Sequence, residues 1–305
     1  MVSVVMITYG HEKFIGQAIQ GILIQKCDFE IELIIANDCS PDNTDQAIKQ
    51  IFKSHPNSHL INYTKHIENK GMMANFIWTL QQAKGKYIAV CEGDDYWTDP
   101  LKLQKQVDFL EMNDRYNLCG HNICEQKEGV ISPISNKRVD YLFDDFASSG
   151  SCSGIYTCSM LFRNKQSILK VILAEWTLKL DGGDHLVLLL ATLDGSKVRK
   201  LDEIMGVYRI HDGGIWSSSS EEKKVKDAII TNRNYIDNLS LTKIQKNQVR
   251  YGLTPRIRQY YFSKINNRYF RKIVSWFLKF IFITGPGPIS SRIIEFFSNR
   301  ILSRI

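Results

Sequence analysis

Glu92-Gly93-Asp94-Asp95 follow an apolar run, Tyr87-Ile88-Ala89-Val90-Cys91, and place three carboxylates within four positions. Such charges repel one another. A hard divalent cation makes the crowding tolerable, because it takes oxygen ligands and can bridge diphosphate oxygens. The same residues also read as a solvated acidic turn ahead of the helix opened by Asp99-Pro100. Other chemistry-bearing residues stand at breaks between apolar runs: Thr8-Tyr9, Asn37-Asp38, Asp184 after Gly183, and His211 ahead of Gly213-Gly214. A carboxylate like Asp184 can take a proton from an attacking hydroxyl, or it can cap the following helix. A lone histidine like His211 is a ligand or a structural side chain. Neighbouring glycines, which let backbone approach a ligand, favour the first.

The elements that must position these residues follow from periodicity. Val2 to Thr8 is a short β-branched run, the pattern of a buried strand. Phe14, Ile15, Ala18, Ile19, Ile22 and Leu23 recur at helical spacing. Ile31 to Ala36 predicts a second strand, and its turn formers lead to a helix over roughly 44–54. His59 to Tyr63 predicts a third strand, a helix near 72–84 stops at Gly85, and Tyr87 to Cys91 predicts a fourth strand. Alternating strands and helices argue for an α/β fold with a parallel, doubly wound sheet. Ligands bind such sheets outside the carboxyl ends of the strands, where Thr8-Tyr9, Asn37-Asp38 and Glu92 to Asp95 converge.

Further on, Leu103, Val107 and Leu110 share one helix face. Residues 115–165 read as strands and loops, Leu186 to Leu193 as an apolar helix, and Glu203 to Ile210 as a strand. From Ser218 onward the pattern is helical and increasingly basic. Tyr96-Trp97 are expected to pack the acidic loop rather than touch a ligand.

Composition narrows the classes. A 305-residue chain that is 44% hydrophobic fits one or two globular domains. Neither a Gly-x-Gly-x-x-Gly after the first strand nor a Walker-type lysine is present, which excludes the common dehydrogenase and P-loop readings. Seven cysteines without a Cys-x-x-Cys pair suggest no zinc site. No export signal precedes the first strand, so a cytoplasmic setting is expected. From Lys264 to Ile305 eight basic residues face one acid, Glu295, and this accounts for the whole formal net charge of +7. Tyr269 to Ile283 mixes Trp276, Phe277 and Phe280 with Arg271, Lys272 and Lys279, and Ile289 to Ile305 repeats the theme. Basic amphipathic helices of this kind suit an anionic membrane surface, or they pack on the protein itself.

The blocks VVMITYGHEKFIGQAIQGILIQ, ELIIANDCSPDNT, NKGMMANF, GKYIAVCEGDDYWTDPLKLQKQ and YRIHDGGIWS resemble those of family 2 glycosyltransferases with the GT-A fold. Together they span roughly residues 1–217 in the family's order. The resemblance implies transfer of a sugar, usually with inversion, from a nucleotide-diphosphate donor to an acceptor hydroxyl. It implies that Asp38 recognises the nucleobase, usually uracil. Thr8, Tyr9 and Glu12 would line the nucleotide pocket, and Asn69, Gly71 and Asn75 would lie beside the base and ribose. Glu92-Gly93-Asp94 matches the Asp-x-Asp motif with Glu in the first position. Asp94 is the favoured metal ligand, and Asp95 stands second because a doubled aspartate can slip by one. Asp184 matches the general base. His211 matches a position that ligates the metal or meets the diphosphate, with Arg209 beside it on the donor side.

The expectation is therefore an α/β, GT-A catalytic domain over 1–217, with a nucleotide-binding half at 1–98 and an acceptor half at 99–217. A helical, basic region covers 218–305. The enzyme would use Mn2+ or Mg2+ and a nucleotide-sugar donor, expected to be a UDP-sugar. Its acceptor would be a glycan or lipid-linked oligosaccharide of bacterial surface polysaccharide. It would sit peripherally on the cytoplasmic face of the membrane, with no nucleic-acid partner. A nucleotidyltransferase of similar fold and a catalytically silent nucleotide- or glycan-binding homologue are the alternatives.

Overall fold

The computed structural model describes residues 1–134, 138–149, 152, 154–214, 218–257, 260 and 287–302. The chain begins as strand β1 (Val2–Thr8), helix α1 (Ile15–Leu23), β2 (Ile31–Asn37), α2 (Thr44–Ser54), β3 (Ile61–Lys65), α3 (Met72–Gln82) and β4 (Tyr87–Val90). It continues through β5 (Tyr96–Trp97), α4 (Lys102–Met112), β6 (Tyr116–Lys127), β7 (Val130–Pro133), β8 (Asp140–Tyr141), α5 (Phe143–Ser149), β9 (Leu161–Arg163), α6 (Gln166–Ile172), α7 (Asp184–Thr192) and β10 (Lys197–Ile210). Helices α8 (Glu221–Asn238), α9 (Lys243–Tyr251) and α10 (Pro288–Leu302) follow.

These strands form one sheet in the order β3-β2-β1-β4-β9-β6-β10-β5, with β7 added to β6 and β8 to β10. The run β3-β2-β1-β4 is parallel, β9 is antiparallel to both its neighbours, and β10 is parallel to β6. The sheet is continuous across the division expected at residues 98 and 99. Its order reverses direction between β1 and β4, so a crevice opens at their carboxyl ends.

Alternation of side chains explains the layers. In β1, Val2, Val4 and Met6 face Ile15, Ala18, Ile19 and Ile22 of α1. Val5 points the other way, toward Met73, Phe76 and Leu80 of α3. The apolar run of β1 is continuous because a parallel strand is covered on both faces. Each fully buried aliphatic side chain contributes about 1.5–3 kcal/mol.

Three expectations shift. Ser58–Leu60 winds into a single short turn, so the third strand starts at Ile61 rather than His59. The 115–165 segment contains a helix, α5, whose Phe143, Phe146 and Ala147 are buried. The strand before His211 begins at Lys197, because its polar first half is held by β6 on one side and β8 on the other.

In the C-terminal region Val225 and Ile229 of α8 pack with Leu253, Ile257, Tyr260 and Ile294 of α10. Ile289 and Phe296 of α10 remain exposed. The amphipathic stretch expected at Tyr269 to Ile283, and Trp216, lie outside the described residues. Among the described residues no helix is long and apolar enough to cross a membrane.

Candidate functional site: an acidic turn at the switch point of the sheet

The backbone after β4 stays tied to β1: Cys91 donates its N–H to Val5 O at 3.2 Å, and Gly93 donates to Ile7 O at 3.0 Å. Gly93 has no room for a side chain. A Cβ there would lie 2.7 Å from Thr8 Oγ1 and 2.9 Å from His11 Nδ1. Glycine lets the acidic turn lie flat on the end of β1. Glu92 and Asp94 are half-buried, while Asp95 is 1% exposed.

Asp94 faces two histidines. Its Oδ2 lies 3.1 Å from His211 Nε2 and 3.7 Å from His11 Nε2. The ligand atoms of His11, Asp94 and His211 all lie within 4.8 Å of one another, as do carboxylate oxygens of Glu92, Asp94 and Asp95. Among the described residues, these are the clusters of three or more that could hold a metal ion. Mixed imidazole and carboxylate donors fit a divalent first-row cation.

Electrostatics separate the three acids. Burial, then the charges of Asp94, Asp95 and Asp184, push the Glu92 carboxyl well above the usual range. Burial and the charge of Asp94 do the same to Asp95. Burial also acts upward on Asp94, but the hydrogen bond from His211 and the charge of His11 outweigh it and hold that carboxyl low. Of the three, Asp94 is thus the acid whose surroundings favour the ionised form, the form that could bind a metal. Asp95 Oδ1 accepts the backbone N–H of Arg209 at 2.8 Å, and its Oδ2 has no partner among the described residues. The Arg209 guanidinium lies 4.2 Å from the Tyr96 ring and bonds the Asp94 carbonyl and Gln17 Oε1. Arg209 therefore braces the turn from beneath. Tyr96 and Trp97 are buried, and Trp97 Nε1 donates to Cys158 O at 2.7 Å.

The nucleotide side lies across β1. Asp38 is buried at the end of β2 and accepts the backbone N–H of Lys70 at 2.7 Å and of Gly71 at 3.0 Å. Asn69 Oδ1 shares the Gly71 N–H at 2.9 Å. Asp38 thus clamps the 69–71 loop against the strand end. Asn75 is buried, donates to Ala36 O at 3.0 Å and meets His66 Nε2 at 3.0 Å, which fixes the start of α3 on β2. Thr8 Oγ1 is buried without a partner among the described residues, and Tyr9 is 50% exposed at the crevice rim. Glu12 is exposed and accepts from Asn43 N at 3.2 Å and Asn43 Nδ2 at 3.1 Å, so it binds the neighbouring loop.

Asp184 begins α7. Its Oδ1 accepts the His185 N–H at 2.7 Å, and its Oδ2 lies 3.2 Å from Cys152 Sγ and 3.5 Å from Thr157 Oγ1. Asp184 is the first residue of the helix rather than its cap, since Gly183 holds the capping position without a side-chain bond, and its charge also acts on Glu92. A Cβ at Gly183 would lie 2.7 Å from the Phe76 ring, so glycine lets α7 start close against α3. Asp181, the other acid of that block, accepts instead from Thr231 of α8 at 3.3 Å. Beside His211 an open cleft of about 630 Å³ is lined by Phe14, Gln126, Lys127, Arg209 and Asp212.

Sequence reasoning passed over His11. Its position within Gly10-His11-Glu12, directly after the first strand, was the available signal, but nothing local tells that its ring turns toward Asp94.

Comparison with known proteins bears on the family and the fold. The family model described as glycosyl transferase family 2 matches residues 3–168. An uncharacterised protein of Mycobacterium tuberculosis (strain ATCC 25618 / H37Rv) is 34% identical over 231 residues, covering 73% of this chain and 62% of the relative. The chain thus spans somewhat under two thirds of that relative's length. A UDP-Glc:alpha-D-GlcNAc-diphosphoundecaprenol beta-1,3-glucosyltransferase of Escherichia coli is 25% identical over 222 residues, covering 73% of this chain and 82% of the relative. The structure of Staphylococcus aureus TarS residues 1–349 in complex with UDP-GlcNAc superposes with a TM-score of 0.65 at 19% identity, covering 88% of this chain and 76% of that one. The fold is that of the GT-A glycosyltransferases.

Proposed function

Since this chain belongs to glycosyltransferase family 2, we propose that it is an inverting enzyme that moves a sugar from a nucleotide-diphosphate donor to an acceptor hydroxyl. The donor is of the UDP class. The acceptor is a lipid-linked oligosaccharide on the way to a bacterial surface polysaccharide such as capsule or O-chain. The observation that carries this reading is the convergence of Asp94 and His211, 3.1 Å apart, at the β1/β4 switch point that Asp38 and Asp184 also border. The relative that acts on a diphosphoundecaprenol-linked sugar supports the acceptor class. The basic residues of the C-terminal region support peripheral attachment to the cytoplasmic membrane face.

Asp94 and His211 would hold a divalent cation, with Glu92 beside it and Asp95 bracing β10. When bound, the cation supplies charge neutralisation for the diphosphate as it leaves. Asp38 presents the 69–71 loop to the base, and Thr8 Oγ1, unpartnered among the described residues, offers a hydrogen bond to the nucleotide. Asp184 takes the proton of the acceptor hydroxyl as its oxygen attacks the anomeric carbon, and the diphosphate departs from the opposite face.

A panel of nucleotide sugars, assayed for donor hydrolysis with Mn2+, Mg2+ and EDTA, tests the reading. Turnover of at least one UDP-sugar that EDTA abolishes and metal restores is expected. Metal-independent turnover, or release of pyrophosphate from a nucleoside triphosphate and sugar phosphate instead, would overturn it.

A further inference from the structure

We propose that His11 is a third protein ligand of the metal and that it sets the preference of the site for an imidazole-tolerant first-row ion, such as Mn2+, over Mg2+. The inference rests on the placement of a cation at Asp94 and His211. It assigns to the loop after β1 a part in metal choice as well as nucleotide binding.

The backbone of His11 is rigidly held. Its N–H donates to Thr44 Oγ1 at 2.9 Å, and its carbonyl accepts from Phe14 N and Ile15 N, each at 2.9 Å, to start α1. The ring is confined between Phe14, His211 and Gly93, with centroids 6.5 Å from Phe14 and 6.1 Å from His211. Confinement of this kind normally comes with hydrogen bonds, because buried polar atoms without partners cost free energy. Here the buried Nδ1 has no partner among the described residues. Nε2 stands 3.7 Å from Asp94 Oδ2, beyond hydrogen-bond range. The distance instead suits two groups flanking one ion. With each ligand about 2.1 Å from the ion, neighbouring ligand atoms stand roughly 3.0–3.5 Å apart. The 3.1 Å contact from His211 to the same Asp94 oxygen completes a compact triad.

Donor chemistry then decides selectivity. Mg2+ prefers oxygen ligands and water in a near-ideal octahedron. Two imidazoles and one carboxylate favour Mn2+, Fe2+ or Co2+. A site with His211 alone would discriminate less between Mn2+ and Mg2+.

The test is metal binding by the full chain in the presence of UDP, without turnover. Calorimetric titration of Mn2+ and of Mg2+ into wild type, His11→Gln and His11→Ala measures selectivity. Pulsed electron paramagnetic resonance of bound Mn2+ counts the coupled imidazole nitrogens. Wild type is expected to show two imidazoles and His11→Gln one. Mn2+ affinity should fall by at least about tenfold in both variants, with Mg2+ affinity changing much less. Should the alanine variant fail to fold, the glutamine variant, which keeps the volume, decides. Unchanged nitrogen coupling, unchanged Mn2+ affinity, or an equal loss for both ions would overturn the proposal. An Asp94→Asn control separates the two levels. If it binds Mn2+ like wild type, the underlying site is misplaced; if it loses the metal while His11→Gln does not, only the role of His11 fails.

Discussion

Asp95 Oδ1 accepts the backbone N–H of Arg209 at 2.8 Å across 114 positions of sequence, tying the acidic turn to the last strand of the sheet. His211 reaches Asp94 because this bond, and the Arg209 contact with the Asp94 carbonyl, hold the end of β10 against the turn. Asp95→Ala should leave a buried N–H unpaired and cost about 1–3 kcal/mol. Asp95→Asn keeps an acceptor, and since burial already pushes this carboxyl toward its neutral form, it should cost less. Urea unfolding of both variants gives the answer, and equal losses would contradict it.

Asp184→Asn should abolish transfer while leaving the binding of UDP intact. The amide retains the hydrogen-bond acceptor at the start of α7 but cannot take a proton. A fall of about 10²–10⁴ in kcat is expected for loss of a general base. Nucleotide binding measured alongside separates this from misfolding, and wild-type turnover would remove Asp184 from the mechanism.

Gly93→Ala should impair metal binding more than stability. The added Cβ falls 2.7 Å from Thr8 Oγ1 and 2.9 Å from His11 Nδ1, so the turn must lift and carry Asp94 away from the histidines. Mn2+ titration is the readout. An alanine variant that binds metal as wild type does would show that the turn has slack.

Lys102 predicts a pH dependence. It is fully buried beneath the turn, bonds Gln106 Oε1 at 2.6 Å and lies 3.8 Å from the Trp97 ring. Burial pulls its ammonium down to about 8, from 10.5 for the free side chain. Between those values the unfolded chain carries a proton that the folded chain has lost, so this group makes stability rise with pH from about 8 to 10.5. Below about 8 the charged form is buried and its cost is fully present, on the order of 3 kcal/mol. Lys102→Met removes the term. Its stability relative to wild type should be most favourable near pH 7.5 and decline toward pH 10.5. Lys102 lowers the Cys91 and Cys119 thiols, but burial holds both well above their ordinary range even so, and losing the ammonium raises them further, so they stay protonated in both folded proteins over this window. Parallel pH curves would rule the effect out.

Replacing Arg271, Lys272 and Lys279 together with alanine should weaken binding to anionic vesicles. At about 1 kcal/mol for each basic residue near the surface, the loss is on the order of a hundredfold. Sedimentation with vesicles at two salt concentrations measures it. Undiminished binding would assign these residues to packing, as with Ile294 of α10.

Much of the architecture is legible in the sequence because it depends on local pattern. Val2 to Thr8 can only be a strand covered on both faces, and Phe14 to Leu23 only a helix with one apolar stripe. Their alternation fixes a parallel sheet, and a parallel sheet fixes where ligands bind. Asp38 and the acidic turn are therefore legible in the sequence as strand-end residues. Where local pattern is weak, the reading fails. Phe143 to Ser149 is too short to show a period, and Lys197 to Asp202 lacks the apolar residues that mark a strand, because neighbouring strands hold it instead.

The sequence by itself determined the fold class, the chemical types at the crevice and the strand ends that carry them. The tertiary structure decided which residues meet. Asp94 and Asp95 are adjacent and of one type, ranked in the chain only by a resemblance, yet in the fold one meets two histidines and the other turns inward to Arg209. Periodicity encodes which face of an element is buried. It carries no information about how residues 11, 94 and 211 meet, since that depends on the registers that close β1, β4 and β10 into one sheet.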